Sequence, residues 1–187
     1  MIYLVSTSPR RKALLKKAGI AFRILKPAYE EEKNLKGPPS QIVKIQALRK
    51  VQSVAKQVKD GILLGADTLV YLRGEIIGKP KNGKEARRIL KKLQNTRHSV
   101  YTGVAILKMA AGRKVKKSVF FEKTVVRLKA FTDKEIEWYL KKVNPLDKAG
   151  GYSIQSPHGG IVQEIKGLFS NAVGLPVERV LKSLQRF

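Results

Sequence analysis

The segment STSPRRK at positions 6–12 places three cations at the predicted start of a helix, directly after an apolar run at 1–5. Ser8 suits an N-cap and Pro9 the first helical position. The first turn then holds Arg10, Arg11 and Lys12. The helix dipole disfavours a cation there by about 0.3–1 kcal/mol, whereas it favours an anion. The pattern therefore indicates a phosphate site built from backbone N–H groups and guanidinium groups, with a solvated basic face as the alternative.

A second candidate is Asp67, in the segment GADT at 65–68, which follows an apolar strand predicted at 62–64. Ligands of open α/β sheets collect at the carboxyl ends of strands. A carboxylate in that place can hold Mg²⁺ or act as a base toward water. The alternative is a structural aspartate that caps a turn.

Three further segments contain residues suited to a polyanionic ligand. Lys79, between Gly78 and Pro80, can neutralise phosphate charge or be an ordinary surface lysine. The acidic run 30–32 offers a second metal ligand or a solvated loop. The segment KAGGYSIQ at 148–155 combines glycines with Gln155, whose amide can read a base edge as both donor and acceptor. His98 and His158 lack the spacing of metal ligands, and we interpret both as structural.

The chain has 187 residues and a formal net charge of +25, from 39 basic and 14 acidic residues. This charge attracts polyanions, so nucleic-acid binding is a second class of function to consider. There is no cysteine and no apolar run long enough to span a membrane. The N-terminus also lacks the layout of a signal peptide. These features favour a cytoplasmic protein.

Strand and helix patterns alternate along the chain, which indicates an α/β fold. The predicted helices cover 9–18, 40–57, 82–93, 132–142 and 176–184. The predicted strands cover 1–5, 20–25, 62–64, 98–107, 114–128 and 161–165, with a hairpin at 69–77. The helix at 132 begins with a capping box, Thr132 followed by Glu135. No linker or internal repeat divides the chain, so a single domain over 1–187 is expected.

These motifs, in this order, resemble the Maf family of nucleoside triphosphate pyrophosphatases. The matching segments are STSPRRK at 6–12, GADT at 65–68, GEIIGKP at 74–80, HSVYTGV at 98–104, PLDKAGGYSIQ at 145–155 and VGLP at 173–176. The resemblance implies an α/β fold, in which helices flank an elongated mixed sheet and two lobes surround a cleft, as in inosine triphosphate pyrophosphatases. It also implies a homodimer that hydrolyses nucleoside triphosphates to monophosphate and pyrophosphate with Mg²⁺, or with Mn²⁺ or Co²⁺.

The resemblance also assigns residues. Asp67 matches the proton acceptor of the family and one metal ligand, and Glu31 matches the other metal ligand, with its register within 30–32 open by one residue. The substrate-binding positions match Ser6, Arg11, Lys12, Lys79 and Lys148.

Three specificity positions carry Arg10, Thr68 and Gln155, as in the branch similar to dTTP/UTP pyrophosphatases. The branch that acts on 7-methyl-GTP tends to have Trp, Gln and Glu there. The expected function is therefore hydrolysis of dTTP and UTP in a house-cleaning role for the nucleotide pool, with another base preference as the alternative.

The chain departs from the family pattern in two places. Ile45-Gln46-Ala47 replaces a stretch that resembles Arg-Leu-Ala in the family, and Ser156 stands where glycine is common. The first departure weakens any inference about contacts made by that helix.

Overall fold

The computed structural model describes residues 1–32, 35–155 and 160–187. The helices are α1 (Pro9–Lys17), α2 (Pro39–Gln52), α3 (Gly83–Leu93), α4 (Asp133–Lys142), α5 (Phe169–Val173) and α6 (Val177–Leu184). The strands are β1 (Ile2–Val5), β2 (Phe22–Leu25), β3 (Gly61–Leu72), β4 (Glu75–Ile77), β5 (Arg97–Ala110), β6 (Arg113–Leu128) and β7 (Val162–Lys166). Short 3₁₀ helices cover Ala55–Gln57 and Ala149–Gly151.

The strands form one mixed sheet of seven strands, in the order β2-β1-β3-β5-β6-β7, with β4 paired to β3. β1 is parallel to both β2 and β3. β4 is antiparallel to β3, and β7 is antiparallel to β6. The prediction of an α/β fold with a mixed sheet flanked by helices is confirmed. Among the described residues, no helix is long and apolar enough to cross a membrane.

The chain divides into two compact units, and β3, β5 and β6 contribute residues to both. The first unit contains 1–68, 102–122 and 174–187. In it, Leu4 and Leu64 pack into one buried cluster with α1 and α6. Val5 and Leu63 pack into another cluster with α2. Because successive strand residues point to opposite faces, β1 and the first part of β3 must be apolar on both sides, which explains the hydrophobic runs at 1–5 and 62–64.

The second unit contains 69–101 and 123–173. Its core joins the outer part of the sheet to α3 and α4, through residues such as Leu90, Val126 and Ile136. Both helices begin as the sequence predicts. The Asn82 side chain accepts the Glu85 N–H, and Thr132 and Glu135 form a complete capping box.

His98 lies in this second core, where it is 2% exposed and its Nε2 is 2.6 Å from the Tyr152 hydroxyl. Burial lowers the pKa of His98 to about 4. His158, the other histidine, lies outside the described residues.

The depressed pKa of His98 predicts a loss of stability in acid. Since the unfolded chain takes up this proton near pH 6.5 and the folded chain only near pH 4, stability is complete above pH 6.5 and falls between these values. Over this pH range the titration of His98 is expected to lower the free energy of unfolding by about 3 kcal/mol. Urea denaturation from pH 7 to pH 4 should show a shallower pH dependence for His98→Gln, which retains a polar partner for Tyr152. Equal pH slopes for the two proteins would contradict this prediction.

The structure corrects the prediction of separate strands at 62–64 and 69–72. β3 is continuous, because β1 pairs with its first part at Ile62–Leu64 and β4 pairs with its last part at Val70–Leu72. Asp67 therefore lies in the middle of β3, and its predicted place at the carboxyl end of a strand is wrong. Asp67 lies three residues beyond Leu64, which is the last residue of β3 that pairs with β1. Its place along the sheet is therefore close to the end of β1.

The predicted helix at 40–57 is also too long, since α2 ends at Gln52. The Ser53 hydroxyl donates to the Lys50 carbonyl at 2.7 Å and accepts the Ala28 N–H at 3.1 Å. Serine side chains that bond to nearby backbone compete with helical hydrogen bonds in this way. The short helix α5 has no counterpart among the predicted elements.

Two glycines allow α2 to contact the sheet directly. A Cβ at Gly65 of β3 would lie 2.5 Å from Val51 Cγ1, and a Cβ at Gly103 of β5 would lie 2.2 Å from the Val43 carbonyl oxygen. Both distances are far below van der Waals contact. These glycines therefore set how closely α2 approaches the two strands.

Gly103→Ala should destabilise the protein, because the new methyl group meets backbone atoms that cannot rotate away. Overpacking of this kind costs about 1–3 kcal/mol or more. We expect thermal denaturation to show a melting temperature several degrees below that of the wild type. Gly83→Ala is the matched control, since a Cβ there meets no described atom within 4 Å. Equal melting temperatures for the two variants would show that α2 is free to move away from β5.

Candidate active site

The centre of the site is a lysine between two carboxylates in the first unit. Lys50 Nζ lies 2.6 Å from Asp67 Oδ1 and 2.6 Å from Glu31 Oε1. It also donates to the Ala66 carbonyl at 3.4 Å. Lys50 is 5% exposed and Asp67 is 8% exposed, whereas the Glu31 side chain is 45% exposed. The arrangement is a nearly buried cluster of charges with one side open to solvent through Glu31.

Burial and neighbouring charges act in opposite directions on Asp67. Burial raises the pKa of the Asp67 carboxyl above its ordinary value, the Lys50 ammonium lowers it, and the Glu31 carboxylate raises it again. The net pKa is raised. A carboxylate with a raised pKa accepts a proton more readily than an exposed aspartate does.

Sequence reasoning missed Lys50, although the helix pattern contained a signal for it. Val43, Gln46, Ala47 and Lys50 share the buried side of α2. Lysine is almost never fully buried unless it is paired. A lysine at a core-facing helical position therefore predicts a buried acidic partner, which the structure identifies as Asp67.

Glu31 is the member of the acidic run that reaches this cluster. The Glu32 carboxylate instead pairs with Arg49, and Glu30 is exposed. Glu31 Oε1 and Asp67 Oδ1 are at most twice 2.6 Å apart, since both contact the same nitrogen. The geometry therefore favours Glu31 as the partner of Asp67 within the register that the sequence left open.

Arg11 is the cation of the first turn of α1 that turns inward. Its Nε donates to the Gly174 carbonyl at 2.8 Å, and its Nη2 donates to Thr68 Oγ1 at 3.0 Å. Nη1 lies 3.5 Å from Ser6 Oγ. Burial lowers the pKa of the guanidinium, which nevertheless stays charged, as arginine does in proteins. These contacts use three of its five N–H donors, and they hold a fixed positive charge beside the start of the helix.

The start of α1 has the capping geometry that the sequence predicts. The Ser8 side chain accepts the Arg11 N–H at 3.5 Å, and Pro9 is the first helical residue. Ser6 Oγ accepts the Ser8 N–H at 3.1 Å, and Ser6 is 3% exposed. Arg10 and Lys12 are half-buried in the same turn. The Ser8 and Arg11 N–H groups are thus already bonded to side chains, and this turn offers an anion mainly its cations and the positive end of the helix dipole.

Thr68 connects Arg11 to two residues that sequence reasoning missed. Its hydroxyl shares a hydrogen bond of 3.0 Å with Thr102 Oγ1 and lies 3.4 Å from the Gly174 carbonyl oxygen. Gly174 has a φ of +127°, a conformation that favours glycine. Arg11, Thr68 and Gly174 are separated by long stretches of sequence, so only the folded chain shows that they form one hydrogen-bonded group.

The remaining predicted residues belong to the second unit. Lys79 is exposed and follows β4. The Lys148 ammonium donates to Asp147 Oδ1 at 2.5 Å and to the Asn144 carbonyl at 2.7 Å. The segments of the two lysines are adjacent, since the Gly150 N–H donates to the Gly78 carbonyl at 3.0 Å.

Gln155 is exposed and precedes residues 156–159, so Ser156 lies outside the described part of the chain. The predicted residues thus fall into two groups, one in each unit.

Comparisons with known proteins agree with the motifs and the fold. The family model described as Maf-like protein matches residues 1–187, and the chain belongs to this family. A dTTP/UTP pyrophosphatase of Dictyoglomus turgidum is 46% identical over 187 residues, which are 100% of this chain and 95% of the relative. A dTTP/UTP pyrophosphatase of Bacillus cereus is 43% identical over 186 residues, with 100% and 95% covered.

Among solved structures, the Staphylococcus aureus Ham1 protein matches with a TM-score of 0.51 and 16% identity, covering 99% of this chain and 97% of that one. At this identity the similarity shows the fold alone.

Proposed function

We propose that this protein hydrolyses nucleoside triphosphates, preferring dTTP and UTP, to the nucleoside monophosphate and pyrophosphate. The observation that carries the proposal is the Asp67–Lys50–Glu31 cluster, with Asp67 and Lys50 buried, in a chain of the Maf family. It supplies a base with a raised pKa, while Arg11 supplies a fixed cation in the same unit. The names of the relatives at 43–46% identity support the same reaction and base preference.

A divalent metal ion fits the donor set of the site. The described residues contain no group of three or more histidine, cysteine, aspartate or glutamate side chains that could hold a metal ion. Glu31 and Asp67 nevertheless lie close enough to contact the same Lys50 ammonium. Mg²⁺ is commonly bound by one or two carboxylates together with substrate phosphates. We assign Mg²⁺, or Mn²⁺ or Co²⁺, to this pair of carboxylates. When bound, the ion would neutralise phosphate charge and lower the pKa of a bound water.

The chain's own residues then have distinct roles. Asp67 orients a water molecule and takes its proton as the water attacks phosphorus. Ser6, Arg11 and Lys12 bind phosphate oxygens at the start of α1. The resemblance to the family assigns Lys79 and Lys148 to substrate binding, where a lysine would neutralise the charge of the leaving pyrophosphate. The bond that breaks joins the α-phosphorus to the bridging oxygen toward the β-phosphate.

Base preference is assigned to Arg10, Thr68 and Gln155. A thymine or uracil edge presents an acceptor, a donor and a second acceptor, which the Gln155 amide can complement in part. Thr68 is already bonded to Arg11, so it links the base-preference set to the phosphate-binding set. The house-cleaning role in the nucleotide pool rests on the resemblance to the family.

A panel of substrates tests the proposal. Pyrophosphate release should be measured for dTTP, UTP, CTP, GTP, ATP and 7-methyl-GTP with Mg²⁺. Selective turnover of dTTP and UTP supports it, and turnover of another base supports the alternative preference. Absence of release from all six, with salt-sensitive binding to duplex DNA, would favour the nucleic-acid-binding function that the charge of +25 suggests.

A homodimer and a cytoplasmic location belong to the same proposal; the homodimer rests on the resemblance to the family, and the location on the sequence features given above. Light scattering coupled to size-exclusion chromatography tests the homodimer directly. A mass of one chain at micromolar concentration would contradict it.

A further inference from the structure

Gln46, in the stretch where the chain departs from the family pattern, is bonded to the loop that carries Glu31. The Tyr29 hydroxyl donates to Gln46 Oε1 at 2.8 Å, and Gln46 Nε2 donates to the Glu32 carbonyl at 2.8 Å. Gln46 is 3% exposed. Both ends of a nearly buried amide are thus occupied by residues on either side of Glu31.

Three residues on one side of α2 contact this loop. Gln46, Arg49 and Lys50 are three and four positions apart, so they lie on neighbouring parts of one helix surface. Arg49 pairs with the Glu32 carboxylate and lies 3.5 Å from the Tyr29 hydroxyl. The Lys50 ammonium forms an ion pair with the Glu31 carboxylate. α2 therefore binds the loop at residues 29, 31 and 32.

We propose that Gln46 is a positioning residue that holds Glu31 in the site, an inference that rests on the function proposed above. The Glu31 side chain is half exposed, and a pair of that kind is too weak to fix a loop. Gln46 adds a buried restraint, because it bonds to the backbone immediately after Glu31 and to the side chain two residues before it. The Glu31 carboxylate then lies beside Lys50 before substrate arrives.

The chemistry of the two bonds requires glutamine. The Glu32 carbonyl accepts a hydrogen bond, so its partner must be a donor. The Tyr29 hydroxyl donates one, so its partner must be an acceptor. A leucine offers neither, and an ionised glutamate cannot donate. The departure from the family pattern at this position thus goes with contacts to a tyrosine and a loop carbonyl of this chain.

Gln46→Leu tests the proposal, with Gln41→Leu as the matched control because Gln41 is exposed on the same helix. We expect kcat/KM for dTTP to fall roughly ten- to a hundredfold in Gln46→Leu through misplacement of Glu31, and to be unchanged in the control. The Mn²⁺ concentration for half-maximal rate should rise. Tyr29→Phe, which loses one of the two bonds, should give an intermediate loss.

A double-mutant cycle separates positioning from a general structural effect. In a Glu31→Gln background, Gln46→Leu should cause less than a twofold further loss, because the carboxylate that it positions is already absent. Equal losses in both backgrounds, or wild-type kinetics in Gln46→Leu, would overturn the proposal. Circular dichroism and thermal denaturation identify a variant that fails to fold, in which case Tyr29→Phe takes its place in the cycle.

A readout that needs no turnover distinguishes this inference from the proposed function. Native-state cleavage by trypsin after Lys36, which is exposed at the end of this loop, should be faster in Gln46→Leu than in Gln41→Leu. If the wild type releases no pyrophosphate, the proposed function fails, and the cleavage rates still decide whether Gln46 holds the loop. Equal cleavage rates in the two variants would contradict the restraint itself.

Discussion

Replacing Asp67 with asparagine is expected to lower pyrophosphate release from dTTP by a factor of at least about 10², the lower end of what general-base catalysis contributes. The amide has nearly the shape of the carboxylate and still offers an oxygen to Lys50. It cannot take a proton from water, and it is a much poorer ligand for a divalent cation. Steady-state assays of both proteins at saturating dTTP and Mg²⁺ measure the effect on kcat.

The matched control for this experiment is Asp60→Asn. Asp60 is exposed immediately before β3, where its Oδ1 accepts the Ala111 N–H at 3.1 Å, and asparagine can keep that bond. We expect wild-type kinetics for this variant and wild-type circular dichroism for both. A kcat for Asp67→Asn within about threefold of the wild type would contradict the role of Asp67 as the base.

The second large effect is expected at Lys50, through stability as well as activity. Lys50→Met keeps the length of the side chain but removes the ammonium that lies 2.6 Å from each carboxylate. Removal of one partner of a buried ion pair costs about 3–5 kcal/mol, because the remaining charge stays buried and unpaired. The melting temperature should fall by about 10 °C, and activity should fall with it. Thermal denaturation followed by circular dichroism measures the effect.

Two further variants show whether an effect of Lys50→Met comes from the loss of the buried ion pair. Lys56→Met is the control for the loss of one lysine charge, since Lys56 is exposed. It should melt within about 2 °C of the wild type. The double variant Lys50→Met/Asp67→Asn should melt above Lys50→Met, because it no longer buries an unpaired carboxylate. A melting temperature for Lys50→Met equal to that of Lys56→Met would show that the cluster contributes nothing to stability.

Local signals in the sequence were sufficient for several elements of the fold. The capping box at Thr132 and the N-cap at Ser8 predicted helix starts that the structure confirms. Such signals depend on side chains that bond to backbone within three residues, so they need no knowledge of the rest of the chain. The end of α2 at Gln52 was not predicted, because Ser53 also bonds to Ala28, which is distant in sequence.

The site was predictable where residue types in a local pattern, or the resemblance to a family, marked its residues. Ser6, Arg11, Glu31 and Asp67 come from motifs, and the structure brings them into two bonded groups within one unit. Lys50 was missed, and Gly174 lay in a matching segment without an assigned contact, for a physical reason. Their partners are set by the pairing of β1 with β3 and by the packing of α2 on the sheet, which a single sequence does not reveal.

The same limit explains the error at β3. The segment GADT at 65–68 contains a glycine and an aspartate, which are depleted in strands, so the sequence favoured a break there. The strand continues because it is paired with β1 on one side of this segment and with β4 on the other. In addition, the Gly65 position is needed for the close approach of α2, which brings Lys50 to Asp67.

The most direct test of the proposed reaction is hydrolysis of dTTP in water enriched in ¹⁸O, with the products separated and weighed by mass spectrometry. Attack of water on the α-phosphorus predicts dTMP that carries one ¹⁸O atom, together with unlabelled pyrophosphate. Formation of dTDP and inorganic phosphate, or label in the pyrophosphate, would contradict the assignment of the bond that breaks.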